Sequence, residues 1–342
     1  MILVLKPQTT EKDINAIAQK IEELGFKPHI SRGKYKTIIG IIGKNGVSLP
    51  GNASSELANH LQVDTVIPIM EPYKLASREV AVNNTIIQLG DIKIGEGFFT
   101  VMAGPCAVES REQLLETAKG VKQHGASILR GGAFKPRTSP YDFSGLEVEG
   151  LHLLREASQV TGLPIVTELL RERDMEQIEK YADIIQIGAR NIQNFSLLRL
   201  VGKSSKPILL KRGMSTTIKE LLMSAEYILA EGNPQVILCE RGIRTFETAT
   251  RSTLDISAVP VLKEKTHLPV IVDPSHAAGR RSLIPSLARA ALAAGADGIL
   301  IEVHYQPKTA LCDSTQQLDI QGFARLMEEL RSLATAMGKT IN

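Results

Sequence analysis

Residues able to carry chemistry recur in this sequence at the ends of apolar, β-branched runs. They are Cys106, Arg130, Glu168, Arg190, Lys211, Glu240 with Arg241, Asp273 with His276, and Glu302 with His304. The cations are densest in "LRGGAFKPRTSP", where Arg130 precedes two glycines and Lys135 and Arg137 follow. Taken singly, Arg130, Lys135, Arg190, Lys211 and Arg241 each read as a surface cation or an ion-pair partner. Brought into one cleft, they would repel one another unless an anion sat among them. Arginine suits bidentate capture of carboxylate or phosphate, and lysine a point contact. The set therefore points to a ligand bearing both groups. The glycines allow close backbone approach, and Pro136 and Pro140 stiffen the loop. Arg137, Thr138 and Ser139 offer a second phosphate-binding set, with Lys135 between two anionic ligands.

A second constellation is Cys106, His276, Glu302 and Asp313. A mixed thiolate, imidazole and carboxylate set suits a borderline divalent metal such as Mn²⁺, Fe²⁺ or Zn²⁺. The spacing carries little weight, because no short CxxC or HxxxH pair is present, and Cys106 alone also reads as a buried apolar thiol. His304 is a competing imidazole, read either as a supporting or substrate-contacting group or as a surface histidine. Cys312, beside Asp313, is either a second thiol close to Cys106 or a solvent-facing bystander.

These residues need a scaffold that gathers strand ends. Eight apolar runs alternate with helix-period stretches from Phe99 onward: "FTVMAGP", "ASILRGG", "LPIVTELL", "DIIQIGA", "KPILLKRG", "QVILCERG", "LPVIVDPSH" and "DGILIEVH". Eight such units predict a (β/α)₈ barrel, whose strand ends converge on one face. Continuous apolar runs fit strands buried on both faces. An open doubly wound sheet is the alternative, with no reason to stop at eight. In a closed barrel the first, seventh and eighth strands are neighbours, so the four metal-type residues could reach one ion.

The first segment reads as strand, helix, strand, a doubtful further strand, helix and strand. That pattern predicts a ferredoxin-like module over residues 1–72. Residues 73–85 read as a linker, and 86–342 as the barrel, preceded by a hairpin around Gly90-Asp91. His29 and Ser31 begin the second strand of the small module and offer an imidazole and a hydroxyl to a ligand.

Composition narrows the class. The chain has 342 residues, 43% hydrophobic and 23% charged, with a net charge of +3. That balance gives no reason to expect nucleic-acid or membrane binding, and no apolar stretch approaches the ~20 residues of a membrane span. The start lacks a signal-peptide pattern. Three cysteines, an odd and sparse set, fit a reducing cytoplasm.

Together, "AGPCAVES", "LRGGAFKPRTSPYDF", "IQIGARN", "LLKRG", "ILCERGIRTFE", "TLDISAVP", "VDPSH" and "IEVH" resemble the signature segments of the 3-deoxy-D-arabino-heptulosonate 7-phosphate (DAHP) synthases, of the type with an N-terminal ferredoxin-like regulatory domain. The resemblance covers essentially the whole chain. The related 3-deoxy-D-manno-octulosonate 8-phosphate synthases, which take arabinose 5-phosphate, usually differ where this chain has "KPRTS". The resemblance implies condensation of phosphoenolpyruvate with erythrose 4-phosphate. It implies that Arg130, Lys135, Arg190, Lys211 and Arg241 hold phosphoenolpyruvate, with Ala189 and His304 lining the substrate site. It assigns Arg137 and Thr138 to the phosphate of erythrose 4-phosphate, with Lys135 and Pro136 lining the same space. Cys106, His276, Glu302 and Asp313 would bind Mn, Fe, Zn or Co. Lys135 would be the general acid, and Glu168 would position water. It further implies a homo-oligomer, expected to be a tetramer, inhibited by tyrosine or phenylalanine at the small domain. Two other classes stay open at this point: a non-catalytic metabolite sensor, and a Schiff-base aldolase using Lys135 or Lys211.

Overall fold

The computed structural model describes residues 1–342 except 34, 35, 43–50, 68–71, 82 and 138. The first compact unit comprises Met1–Asn84 with Glu264–His267. It opens with β1 (Ile2–Leu5) and α1 (Glu11–Glu23). Thr10 starts the helix through a reciprocal cap: its Oγ1 accepts from Asp13 N, and the Asp13 carboxylate accepts from Thr10 N. Ile14, Ile17 and Ile21 recur at helical spacing and are buried. Then follow β2 (Lys27–Arg32), β3 (Thr37–Ile42), α2 (Gly51–Ala58) and β4 (Val63–Ile67). The doubtful further strand is real, since β2 and β3 pair antiparallel from Lys27↔Ile42 to Arg32↔Thr37. The sheet order β2-β3-β1-β4 is that of a ferredoxin-like module. Leu3, Leu5, Ile39 and Ile41 alternate onto the face that packs with the isoleucines of α1.

The second unit comprises Thr85–Lys263 and Leu268–Asn342. It begins with the hairpin β5 (Ile87–Leu89) and β6 (Ile92–Ile94). Eight parallel strands follow: β7 (Phe98–Gly104), β8 (Ile128–Arg130), β9 (Ile165–Leu169), β10 (Ile184–Ile187), β11 (Ile208–Lys211), β12 (Val236–Glu240), β13 (Val270–Val272) and β14 (Gly298–Glu302). Each pairs with the next, and β14 pairs with β7 from Gly298↔Thr100 to Glu302↔Gly104, which closes the barrel. Ile87 and Ile94 of the hairpin share one apolar cluster with inward residues of the strands, including Met102, Ile128, Val166, Leu209 and Leu300. The helices alternating with the strands are α3 (Arg111–Gln123), α4 (Glu147–Thr161), α5 (Met175–Tyr181), α6 (Phe195–Gly202), α7 (Ile218–Ala230), α8 (Ala258–Lys265), the short α9 (Pro274–Ala278), α10 (Ile284–Ala293) and α11 (Ile320–Ala336). Among the described residues, no helix is long and apolar enough to cross a membrane.

Candidate active site

The closure of β14 on β7 brings Cys106, just beyond β7, against Glu302 at the end of β14. Cys106 Sγ and carboxylate oxygens of Glu302 and Asp313 lie within 4.8 Å of one another. His276 adjoins this cluster, with Nε2 3.4 Å from Glu302 Oε1. Its orientation is set by Asp273, which caps α9: Oδ1 accepts from His276 N at 2.9 Å and Oδ2 faces Nδ1 at 2.7 Å. Burial lowers the His276 pKa against the pull of Asp273 and Glu302, so the ring is neutral near pH 7. The Asp273 contact then assigns the proton to Nδ1 and leaves the Nε2 lone pair facing Glu302. Burial works against the Asp273 charge, but His276 and Lys211 outweigh it and hold its carboxyl well below the ordinary value. With His276 neutral, the effective charge is the Lys211 ammonium, 2.5 Å from Asp273 Oδ2.

The other donors are similarly prepared. Burial also opposes the charges of Glu302 and Asp313, yet both pKa values are lowered, by His276 and Arg130 for the first and chiefly by Arg251 for the second. Asp313 sits at φ 49°, a left-handed backbone uncommon outside glycine and concentrated at functional positions. Cys106 packs with Cys312 in one apolar cluster, and its Sγ lies 3.6 Å from Asp313 Oδ2. The neighbouring Cys312 side chain, burial and the Glu302 charge push the Cys106 thiol well up. The neighbouring Cys106, with Lys135 and Arg137, lowers Cys312 to about 7 against its burial. This donor set fits a borderline divalent cation: one thiol, one neutral imidazole with an open lone pair, and two ionised carboxylates.

Above the donors lies a cleft of about 360 Å³ whose lining includes Lys135, Arg137, Glu168, Arg190, Lys211, Arg241, Arg244 and Arg251. Lys135 reaches its floor, with Nζ 3.0 Å from Cys106 O and 3.1 Å from Cys106 Sγ. Gly132 permits this, because a Cβ there would lie 2.7 Å from Cys106 O and 2.9 Å from Lys135 Cδ. Burial opposes the Lys135 charge, but Cys106 and Glu302 outweigh it and raise its pKa, so it stays an ammonium. Gly188 leaves room for Glu168 in the same way, since a Cβ would meet Glu168 Oε1 at 2.0 Å. Glu168 Oε2 accepts from Gln186 Nε2 at 3.0 Å.

The cations are incompletely neutralised. Arg241 is 5% exposed, and among the described residues its guanidinium donates to Gly242 O, Ser252 Oγ and His276 O and pairs with no carboxylate. Burial accordingly lowers its pKa. The side chains of Arg190 and Arg244 make no ion pair among the described residues. Arg130 donates to Pro105 O at 2.6 Å and to Glu302 Oε1 at 3.2 Å. Arg137 pairs with Asp142 at 3.2 Å and donates to Cys312 Sγ at 3.3 Å. Among the described residues, the Nε atoms of Arg130 and Arg137 are buried without hydrogen-bond partners. Buried cations without counter-ions are costly alone, so the cleft is built for an anion.

The structure thus gathers Lys135, Pro136, Arg137, Glu168, Ala189, Arg190, Lys211, Arg241, His276 and Asp313 at one cleft, with Cys106, Arg130 and Glu302 beneath it. Thr138 lies outside the described residues. His304 is 1% exposed, so it is no surface histidine. Its Nε2 faces Glu109 Oε2 at 3.4 Å and its Nδ1 accepts from Gln306 N. Cys312 is 2% exposed and packs on Cys106, not toward solvent. His29 and Ser31 lie on β2, an edge strand of the other unit. Burial and the Lys27 charge lower the His29 pKa, although part of its ring surface remains exposed. Sequence reasoning gave no role to Arg244, Arg251 or Gln316. Arg244 and Arg251 sit in the irregular segment between β12 and α8, where no periodicity shows which way a side chain turns.

Comparison with known proteins agrees with this geometry. Residues 1–71 match the DAHP synthase ferredoxin-like domain, and residues 76–337 match the DAHP synthetase I family. The chain is 53% identical over 342 residues to the phospho-2-dehydro-3-deoxyheptonate aldolase of Thermotoga maritima, with 100% of both chains covered. A crystal structure of the DAHP synthase of that organism matches with a TM-score of 0.80 at 52% identity, covering 100% of this chain and 99% of that one. The 2-dehydro-3-deoxyphosphooctonate aldolase 2 of Arabidopsis thaliana is 33% identical over 276 residues, 74% of this chain and 94% of its own. Barrel, cleft and small domain thus lead to one conclusion: the chain belongs to the DAHP synthetase I family and carries the ferredoxin-like domain of DAHP synthases at its N-terminus.

Proposed function

We propose that this protein condenses phosphoenolpyruvate with D-erythrose 4-phosphate and water to give DAHP and inorganic phosphate. The observation that carries the reading is the cleft itself, where Arg190 and Arg241, without a carboxylate partner among the described residues, lie above Cys106, Glu302 and Asp313 with His276 beside them. Arg130, Lys135, Arg190, Lys211 and Arg241 hold the phosphate and carboxylate of phosphoenolpyruvate. Arg137 and Thr138 hold the phosphate of the aldose. Cys106, His276, Glu302 and Asp313 would hold the divalent metal, which supplies Lewis-acid polarisation of the aldehyde oxygen. C3 of phosphoenolpyruvate bonds to the aldehyde carbon while the Lys135 ammonium gives a proton to the aldehyde oxygen. Positive charge develops at C2, and Glu168 orients the water that adds there. The resulting hemiketal phosphate expels inorganic phosphate.

The raised pKa of Lys135 and the Asp273 contact of Lys211 argue against a Schiff-base aldolase, which needs a neutral amine. A metabolite sensor would have no use for the donor set. The full-length Thermotoga relative, with a ferredoxin-like domain matched here, supports erythrose 4-phosphate over arabinose 5-phosphate. Regulation by tyrosine or phenylalanine at the small domain, a tetrameric assembly and a cytoplasmic location complete the reading. The test is loss of the enol absorbance of phosphoenolpyruvate with Mn²⁺ and each aldose phosphate in turn. Consumption with erythrose 4-phosphate, abolished by a chelator, supports the proposal. Consumption only with arabinose 5-phosphate, or indifference to the chelator, overturns it.

A further inference from the structure

Gln316, on the segment after β14, is 1% exposed, and its amide is fully used. Its Nε2 donates to Glu302 Oε2 at 2.6 Å and to Asp313 Oδ2 at 3.1 Å. Its Oε1 accepts from Arg251 Nη1 at 2.9 Å. The orientation is therefore dictated by the network: a flipped amide would set its oxygen against two carboxylates and its NH₂ against a guanidinium.

A primary amide has two N–H groups, and here each goes to a different carboxylate. Glu302 is fixed at the end of a barrel strand, whereas Asp313 lies in a loop at φ 49°. Two carboxylates this close repel. Donation to both offsets that repulsion and holds the two carboxylates in a fixed relation. The neighbouring Gln317, 0% exposed, ties the third donor to the same segment. Its Oε1 accepts from Cys106 N at 3.0 Å, and its Nε2 donates to Cys312 O at 2.8 Å.

We infer that Gln316 is a positioning residue that preassembles Glu302 and Asp313 as a pair for the divalent cation, with Arg251 fixing the sense of its amide. The inference rests on the metal-set reading above. It differs from a packing role in what it moves: metal affinity, not the stability of the metal-free fold.

The experiment is Mn²⁺ titration of the full-length chain in competition with a fluorescent chelator, for the wild type, Gln316→Met and Gln316→Asn. Methionine keeps the length and removes both donors. Asparagine keeps an amide one methylene too short to span both carboxylates. Gln316→Met is expected to weaken Mn²⁺ binding by about 10- to 100-fold, with Gln316→Asn in between and the chelator-treated proteins melting close to wild type. If Gln316→Met does not fold, Gln316→Asn alone decides. Mn²⁺ binding within about twofold of wild type in the folded variants overturns the inference, including where the metal-free melting temperature falls. A wild type that binds no Mn²⁺ overturns the metal-set reading and this inference with it.

Discussion

Asp273 holds His276 through both carboxylate oxygens, one on the backbone N–H at 2.9 Å and one at Nδ1 at 2.7 Å. The carboxylate that caps the short helix α9 thus also fixes the ring that faces Glu302. Asp273→Asn should weaken Mn²⁺ binding by about 10- to 100-fold, because the imidazole loses its orienting anion. It should also destabilise the fold by roughly 3 kcal/mol, since Lys211 loses a buried counter-ion. Titration and thermal melting check both, and unchanged Mn²⁺ affinity would remove Asp273 from the metal site.

Among the described residues, Arg241 is a buried guanidinium without a carboxylate partner, a placement that serves a ligand and not the fold. Arg241→Met should raise KM for phosphoenolpyruvate by about 10- to 100-fold, as expected for lost charge-assisted hydrogen bonds of about 1.5–3 kcal/mol. The melting temperature should stay level or rise, because an apolar side chain of similar length suits that position better. A large fall in melting temperature with KM intact would mean that Arg241 is structural.

Arg137 is poised differently, with its Nε buried at the cleft wall without a hydrogen-bond partner among the described residues. Arg137→Ala should raise KM for erythrose 4-phosphate about tenfold or more while moving that of phosphoenolpyruvate little, since one phosphate loses its guanidinium in ground and transition states alike. Steady-state kinetics with each substrate varied in turn would read this. Equal weakening for both substrates would show that the two anion subsites are not separate.

Cys312 and Cys106 are neighbouring thiols packed in one apolar cluster. Treatment with Cu²⁺ in air should remove two electrons and two protons from the pair and join the sulfurs, taking Cys106 out of the metal set. Activity should fall and return with a thiol reductant, and Cys312→Ser should resist. If Cys312→Ser inactivates at the wild-type rate, the loss has another cause.

The eight strands and their terminal residues were legible because period and position coincide in a barrel. A continuous apolar run marks the strand, and the polar residue ending it must lie on the open face. Cys106, Arg130, Lys211, Arg241 and Glu302 all follow that rule. Arg251 and Gln316 escaped it because they sit in irregular loops, where only the fold decides that a guanidinium meets Asp313 and an amide bridges two carboxylates. The boundary between β2 and β3 was blurred for a related reason: "KPHISRGKYKTIIGIIG" is β-prone on both sides, and little but Gly33 marks the turn.

The small unit carries none of the cleft residues, so the chemistry does not require it. Residues 85–342 contain the closed barrel, its hairpin and its apolar cluster, which together make a core of their own. A variant lacking residues 1–84 should therefore fold and condense the two substrates at a rate near that of the full chain. What it should lose is sensitivity to tyrosine. A ligand can inhibit only by its differential affinity for two states, and the site proposed for tyrosine, at His29 and Ser31 on the edge strand β2, is absent from the variant. His29 presents a ring with a lowered pKa, neutral near pH 7 and able to accept a hydrogen bond from a phenol or an ammonium. His29→Ala in the full chain should raise the tyrosine concentration for half-inhibition several-fold, as loss of one hydrogen bond of about 1 kcal/mol implies, and leave the uninhibited rate unchanged. Tyrosine titrations of the three proteins at fixed substrate decide the matter. Full sensitivity in the shortened chain, or no response of the intact one to any aromatic amino acid, would show that this domain does not regulate the barrel through such a ligand.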